Sequence, residues 1–198
     1  MIEVEKKFQP TEEQTRKLTE GALLISKKNV IDIYYDTAKF DFAKKSMWLR
    51  NRDGIWELKA YSSYGGTGKS EVADEILDEI EIIKKLGYST NFISVNQLAE
   101  KLIILGKINT ERKKYSREGF VIDFDITDFG LNKTDIELLV DDESKIEEAN
   151  QKIISFAKQF DLIEVDIPTK PAEYLRRMRP ESYNEILGNN NEMKNRMK

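Results

Sequence analysis

Ile2-Glu3-Val4-Glu5-Lys6-Lys7-Phe8 is the stretch on which the reading of this chain turns. The run is β-prone and sets Glu3, Glu5 and Lys7 at alternate positions. A strand shows every second side chain on one face, so two carboxylates and an ammonium point together while Lys6 faces the other side. Such a face suits either plain solvent or a site that holds a hard cation and a polyanion at once. The rest of the chain separates the two readings, because the alternation recurs.

Asp53-Gly54 lies between Met47–Arg52 and Ile55–Tyr61, a strong hairpin signal. A two-residue turn there puts Arg50 opposite Glu57 and Trp48 opposite Lys59. One face then carries Trp48, Arg50, Arg52, Glu57 and Lys59, and Leu49, Trp56 and Leu58 take the other. A second hairpin joins Ile108–Tyr115 to Phe120–Ile126 through Ser116-Arg117-Glu118-Gly119. On it Arg112 and Lys114 alternate against Asp123 and Asp125, with Arg112 expected opposite Asp123. Thr134–Val140 adds Asp135 and Glu137, and Asn29–Tyr35 reads as a further strand.

Any one such strand fits a solvated face laced by cross-strand ion pairs. Four or five of them need more, because helices must cover the apolar side and the charged side then faces water or an interior. A closed barrel with a polar lumen and helices outside satisfies both demands. Burying unpaired charge is costly, so that lumen calls for a highly charged ligand. The expected fold class is therefore α+β, an antiparallel β-barrel with helices packed around it.

Four helices are expected. One is capped by Thr11 with Gln14 completing a capping box and runs to about Glu20. The spacing of apolar residues predicts others over Asp74–Leu86 before Gly87, from Ser94 to about Leu105 before Gly106, and over Glu143–Phe160. Residues 1–187 are expected to form a single domain, and the polar stretch 188–198 a disordered tail.

The 198 residues include no cysteine and no histidine. Disulfides, thiolate nucleophiles and zinc–thiolate sites are thereby excluded, and any metal must sit among oxygens, which favours Mg²⁺, Mn²⁺ or Ca²⁺. The net charge of −4 supplies no global basic field, so neither nucleic acid nor an anionic membrane is an expected partner. The apolar run Leu102–Leu105 falls far short of the ~20 residues of a membrane span, and no signal-peptide layout opens the chain. A soluble cytoplasmic protein is expected. Lys7, Arg50, Arg52, Lys59, Arg112 and Lys170 offer donors for phosphate oxygens, and Glu3, Glu5, Asp123, Asp135 and Glu137 offer hard oxygen ligands. Together they describe a metal-dependent polyphosphate site. Gly65-Gly66-Thr67-Gly68-Lys69-Ser70 resembles the end of a P-loop, but Ser63 stands where that motif needs glycine, so a mouth loop is the better reading.

At this point the chain resembles the triphosphate tunnel metalloenzymes, or CYTH domain proteins, whose signature Glu-x-Glu-x-Lys is matched by Glu3, Glu5 and Lys7. Ile33-Tyr34-Tyr35-Asp36-Thr37, Trp48-Leu49-Arg50-Asn51-Arg52, Trp56-Glu57-Leu58-Lys59, Asp123-Phe124-Asp125 and Lys170 with Tyr174–Pro180 resemble the thiamine-triphosphatase branch. The resemblance implies an eight-stranded antiparallel tunnel and Mg²⁺-dependent hydrolysis of thiamine triphosphate to the diphosphate and phosphate, with Mn²⁺ as the alternative metal. It implies that Glu3, Glu5, Asp123, Asp135 and Glu137 surround the metal and that Lys7, Arg50, Arg52, Arg112 and Lys170 grip the phosphates. Trp48 would stack on the thiamine rings. Lys59, its pKa lowered by neighbouring cations, would pair with Tyr34 to activate water. The expected partner is a small triphosphate and the expected state a monomer. Asp135 departs from the Glu of the branch, which shortens its reach. Inorganic or nucleoside triphosphatases on the same fold, an adenylate cyclase relative and a non-catalytic polyphosphate-binding module remain alternatives.

Overall fold

The computed structural model describes residues 2–63, 71–88, 92–165 and 167–187. The P-loop-like stretch 65–70 and the tail 188–198 lie outside the described residues, as does the side chain of Glu71.

Eight strands close on themselves: β1 (Ile2–Phe8), β2 (Leu23–Asp36), β3 (Met47–Arg52), β4 (Ile55–Ser63), β5 (Glu71–Ile76), β6 (Ile103–Arg117), β7 (Phe120–Thr127) and β8 (Asn132–Val140). Around the barrel the order is β1-β5-β4-β3-β2-β6-β7-β8, every pairing is antiparallel, and β8 returns to β1. Closure leaves no sheet edge exposed to stray pairing. Both expected hairpins form on two-residue turns, Asp53-Gly54 (φ 50° and 91°) and Glu118-Gly119 (φ 52° and 84°). Two positive φ values in succession match the right-handed twist of the flanking strands, and glycine at the second position adopts one without strain.

Period-two alternation decides what faces in. Along β3, Trp48 and Arg50 point into the barrel, whereas Leu49 packs outside with Trp56, Leu58, Ile82, Val95 and Leu98. The helices α2 (Glu79–Lys85) and α3 (Val95–Ala99) cover that patch. On the opposite flank α1 (Glu12–Thr19) and α4 (Ile146–Lys158) cover Val4, Ile122 and Ile136 through Leu18, Ile153 and Phe156. The capping box of Thr11 and Gln14 starts α1 as expected.

The helices α5 (Lys170–Met178) and α6 (Pro180–Leu187) pack Ala172, Leu175 and Ile186 against Tyr34, Trp48, Leu105 and Ile108. Neither was expected from apolar spacing. Gly106 admits α5: a Cβ there would lie 2.3 Å from Cε1 of Tyr174. The pairing of β2 with β6 skips Leu105 beside this glycine, a bulge that bends the strand around the helix.

Two expected helices are corrected. Residues 74–76 belong to β5, and the helix begins only at Glu79, capped by Asp78. The helix from Ser94 ends at Ala99, and Ile103–Leu105 start β6 with Gly106 inside that strand. In both places the hydrogen bonds needed to close the barrel override local helical spacing.

Candidate active site

Eight cationic and seven acidic side chains line a cavity of about 120 Å³ inside the barrel. That space equals roughly four waters at ~30 Å³ each, because acids and bases have closed on one another.

The first group centres on β1. Glu5 sits directly across from Glu137 on β8, and ligand oxygens of Glu3, Glu5 and Glu137 lie within 4.8 Å of one another. Lys59 reaches in from β4, donating to Glu3 and, at 3.0 Å, to Glu5, with Glu75 of β5 at 3.9 Å. Burial raises the pKa of Glu3 well above its usual range, with Glu5 and Glu137 adding to the rise against Lys59. Burial also lifts Glu137, with Asp123 and Glu5 beside it, to about 8. Glu5 moves the other way: burial opposes its charge, but Lys59, Lys133 and Lys7 together hold it well below the usual range. Three oxygen donors crowded enough to compete for protons form a hard set that suits Mg²⁺ or Mn²⁺.

The second group lies between β2, β6, β7 and α5. Arg112 grips Asp125 with two bonds of 2.6 Å and reaches Asp123 at 2.6 Å, while Lys114 lies 3.1 Å from Asp123. Lys170, the first residue of α5, lies 2.8 Å from Asp125 and 3.7 Å from Asp32, and donates to Thr110 Oγ1 at 3.2 Å. Asp32 is fully buried, accepts from Arg52 at 2.6 and 3.1 Å, and has Arg50 Nε at 3.9 Å. Burial works against its charge, yet Arg50, Arg52 and Lys170 bring its pKa down to about 2. Lys170 goes down to about 8, because burial, Arg112 and Lys133 outweigh Asp125 and Asp32. Lys7, also buried, donates to the carbonyl of Ile167 at 3.1 Å.

All thirteen residues singled out from the sequence face this cavity. Their internal arrangement differs from the expected one in four respects. The register puts Arg112 opposite Asp125 and Lys114 opposite Asp123, two residues from the expected pairing, although the length of Arg112 lets it bridge both acids. Lys59 is surrounded by acids rather than cations. Burial would lower its pKa, but Glu3 and Glu5 raise it well above the usual lysine value. The hydroxyl of Tyr34 bonds Arg50 at 3.5 Å, and burial raises its pKa, with Asp32 adding to the rise. Asp123 and Asp135 fall outside the close carboxylate trio, each held by cations of its own. Lys6 faces away and pairs with Glu164 at 2.8 Å, as its parity requires.

Six charged residues escaped the sequence reading of the site, Glu57 and Asp125 among them although both stood on the expected charged faces. Asp32 alternates with Tyr34 on β2 and was within reach of the parity argument. Lys133 alternates with Asp135 on β8 but lies one residue before the expected strand start. Lys114 stood on the charged face yet was left off the site, and Glu75 was hidden by the helix expected there.

Three unmet polar groups mark where a ligand would be welcome. The indole N–H of Trp48, Oδ1 of Asp135 and Oδ1 of Asp123 are buried without a hydrogen-bond partner. Buried polar atoms are seldom left so.

A closed antiparallel barrel that turns its charged side chains inward is a tunnel. The family model of the CYTH domain matches residues 1–170, and the chain belongs to that family. The thiamine-triphosphatases of Homo sapiens and Macaca fascicularis are each 28% identical to it over 214 residues, spanning 94% of this chain and 90% of theirs. Among solved structures, a Pyrococcus horikoshii protein superposes with a TM-score of 0.54 at 22% identity, covering 82% of this chain and 92% of that one. A Hippeastrum adenylyl-cyclase-like protein described as having a dominant triphosphatase activity superposes at 0.58 with 16% identity, covering 90% and 97%. These two likenesses concern the fold.

Proposed function

We propose that the protein hydrolyses thiamine triphosphate to the diphosphate and phosphate with a divalent cation. The observation that carries this reading is the side-by-side placement of the Glu3, Glu5 and Glu137 trio and a wall of cations in one enclosed cavity. The charge balance supports the metal. With nearly as many acids as bases around it, the lumen has no surplus to neutralise a triphosphate, so cations must enter with the anion. The hard donor set of Glu3, Glu5 and Glu137 fits Mg²⁺ or Mn²⁺. Such an ion would supply charge neutralisation at the phosphoryl oxygens.

The chain's own residues have separable tasks. Arg50, Arg52, Arg112 and Lys170 exchange carboxylate partners, and Lys7 its bond to the Ile167 carbonyl, for phosphate oxygens, with the arginines offering forked donors. Parting these pairs opens the cavity to the size of a triphosphate. Lys59, tied to Glu3 and Glu5, stays an ammonium, so its task is to orient the attacking water and oppose developing negative charge rather than to take a proton. Tyr34 steadies Arg50. In-line positioning and electrostatic stabilisation supply most of the rate in phosphoryl transfer, so a strong base is not demanded.

The organic end of the substrate is assigned through Trp48, which sits opposite Lys59 at 2% exposure with an unmet N–H. Its ring suits a cationic heteroaromatic group, and the relation to the two primate thiamine-triphosphatases supports thiamine. The test is phosphate release from thiamine triphosphate, ATP and inorganic triphosphate, each with Mg²⁺, Mn²⁺ or excess chelator. A metal-dependent preference for thiamine triphosphate is expected. Equal rates on all three would overturn the thiamine assignment, and binding without turnover would overturn catalysis.

A further inference from the structure

We infer that Lys133 is a built-in cation that withdraws Asp135 from metal binding, leaving Glu3, Glu5 and Glu137 to hold one divalent ion. The inference deepens the reading above and rests on its metal site. Lys133 stands two residues before Asp135 on β8, so both point into the lumen, and its ammonium pairs with Asp135 Oδ2. The two side chains are 6% and 3% exposed, so solvent screens the pair little.

The placement of Lys133 divides the tunnel's acids. Its backbone lies opposite Asp125 on β7, and Asp135 lies opposite Asp123 on the same strand and Lys7 on β1. Asp125 is already saturated by Arg112 and Lys170. Asp123 has Arg112 and Lys114. With Lys133 on Asp135, every acid on the β7 side has a protein cation of its own. The trio around Glu5 is different, since among the described residues Lys59 is the ammonium bonded to Glu3 and Glu5, with Lys133 and Lys7 acting on Glu5 from further off. Three carboxyl groups there share one bonded ammonium, so among the described residues it is where a divalent ion meets the least competition from protein cations. Asp135 keeps one oxygen, Oδ1, without a donor, enough to receive a water or a phosphate-bound hydrogen but short of a second metal site. Lys133 is thus a positioning residue that sets how many cations the free tunnel holds.

The experiment is a Mn²⁺ titration of the metal-free full chain, followed by the electron paramagnetic resonance signal of free Mn²⁺, without substrate. The wild type is expected to bind one ion. Lys133→Met frees Asp135 and should bind two ions, or one at least tenfold more tightly. Lys133→Arg should restore the wild-type pattern. Lys133→Met may be replaced by the double variant Lys133→Met/Asp135→Asn should the single one not fold, since that removes the pair without orphaning a charge. The double variant should bind one ion at least as tightly as the wild type. A wild type that binds two ions, a folded Lys133→Met that titrates like the wild type, or a double variant at least tenfold weaker would each overturn the inference. A wild type that takes up no Mn²⁺ would instead sink the metal-dependent reading. Even then Lys133→Met would decide the role of Lys133, by gaining an ion or gaining none.

Discussion

Asp32→Asn removes the one anion shared by Arg50, Arg52 and Lys170 while keeping the size of the side chain. The carboxylate is wholly buried, and its pKa is brought from 3.8 to about 2. That depression amounts to about 2.5 kcal/mol in favour of the ionised form. Removing one partner of a buried pair costs about 3–5 kcal/mol, so urea denaturation at pH 7 should show a loss of about 3 kcal/mol. The sign of the pH effect follows. A depressed carboxylate contributes stability above its unfolded pKa and loses it as pH falls through the folded one. The gap between wild type and variant should therefore be full above about pH 4 and close by about pH 2. Three cations left facing one another also form a better polyanion site. Saturating tripolyphosphate should stabilise the variant more than the wild type and recover at least half of the deficit. A loss under about 1 kcal/mol at pH 7, or a deficit that tripolyphosphate leaves unchanged, would refute the claim that Asp32 stands in for phosphate in the empty tunnel.

Other perturbations probe different walls of the tunnel. Lys170 titrates near 8, so the charged clamp is present below that pH and lost above it; kcat/KM should fall as pH rises through about 8, and Lys170→Arg should remove that limb. Gly106→Ala should cost about 1–3 kcal/mol by thermal denaturation and raise KM, because the new methyl meets the ring of Tyr174 and displaces the helix that carries Lys170. Trp48→Ala should raise KM for thiamine triphosphate at least tenfold more than for inorganic triphosphate, and equal losses on both would make the indole plain packing. Glu5→Gln should abolish metal-stimulated turnover while circular dichroism stays unchanged, and retained activity would displace Glu5 from the metal site.

The wall of this barrel was legible where one physical rule dominates. Parity along β1, β3, β4, β7 and β8 put Glu3, Arg50, Lys59, Asp123 and Glu137 inward, and Asp53-Gly54 fixed the register of the first hairpin, whereas the second turns on Glu118-Gly119 alone and pairs two residues away from the expected register. Legibility failed where two rules compete. Residues 74–86 carry apolar side chains at helical spacing, but only Ile82, Ile83 and Leu86 at its end are buried, while Leu77 and Ile80 are 61% and 46% exposed. The amides of β5 are needed instead to bridge β1 and β4. Gly106 reads as a helix stop because glycine is common there. Its actual reason is steric, the approach of Tyr174 from a helix 68 residues further along, and spacing alone carries no trace of that contact.

The pairing of charges is the deeper gap, and it has a physical cause. Parity tells which residues enter the lumen but not which of several neighbours each one meets, since long side chains cross the tunnel. Lys59 shows the consequence. Residue type alone allowed either cations or acids around it, and these imply opposite pKa shifts and therefore opposite chemical tasks. Its geometry gives it Glu3 and Glu5, which keeps it charged and makes it a donor. The same distribution of charge explains why so highly charged a lumen can be built at all. Arg50, Arg52, Arg112 and Lys170 are each held by a carboxylate and Lys7 by a carbonyl, so the barrel avoids burying naked charge. The arriving triphosphate must then displace Asp32 and Asp125 from their cations. On the function proposed above, selectivity for a chain of three phosphates would follow from that competition: an anion too short to reach Arg52, Arg112 and Lys170 together would break some ion pairs without replacing them.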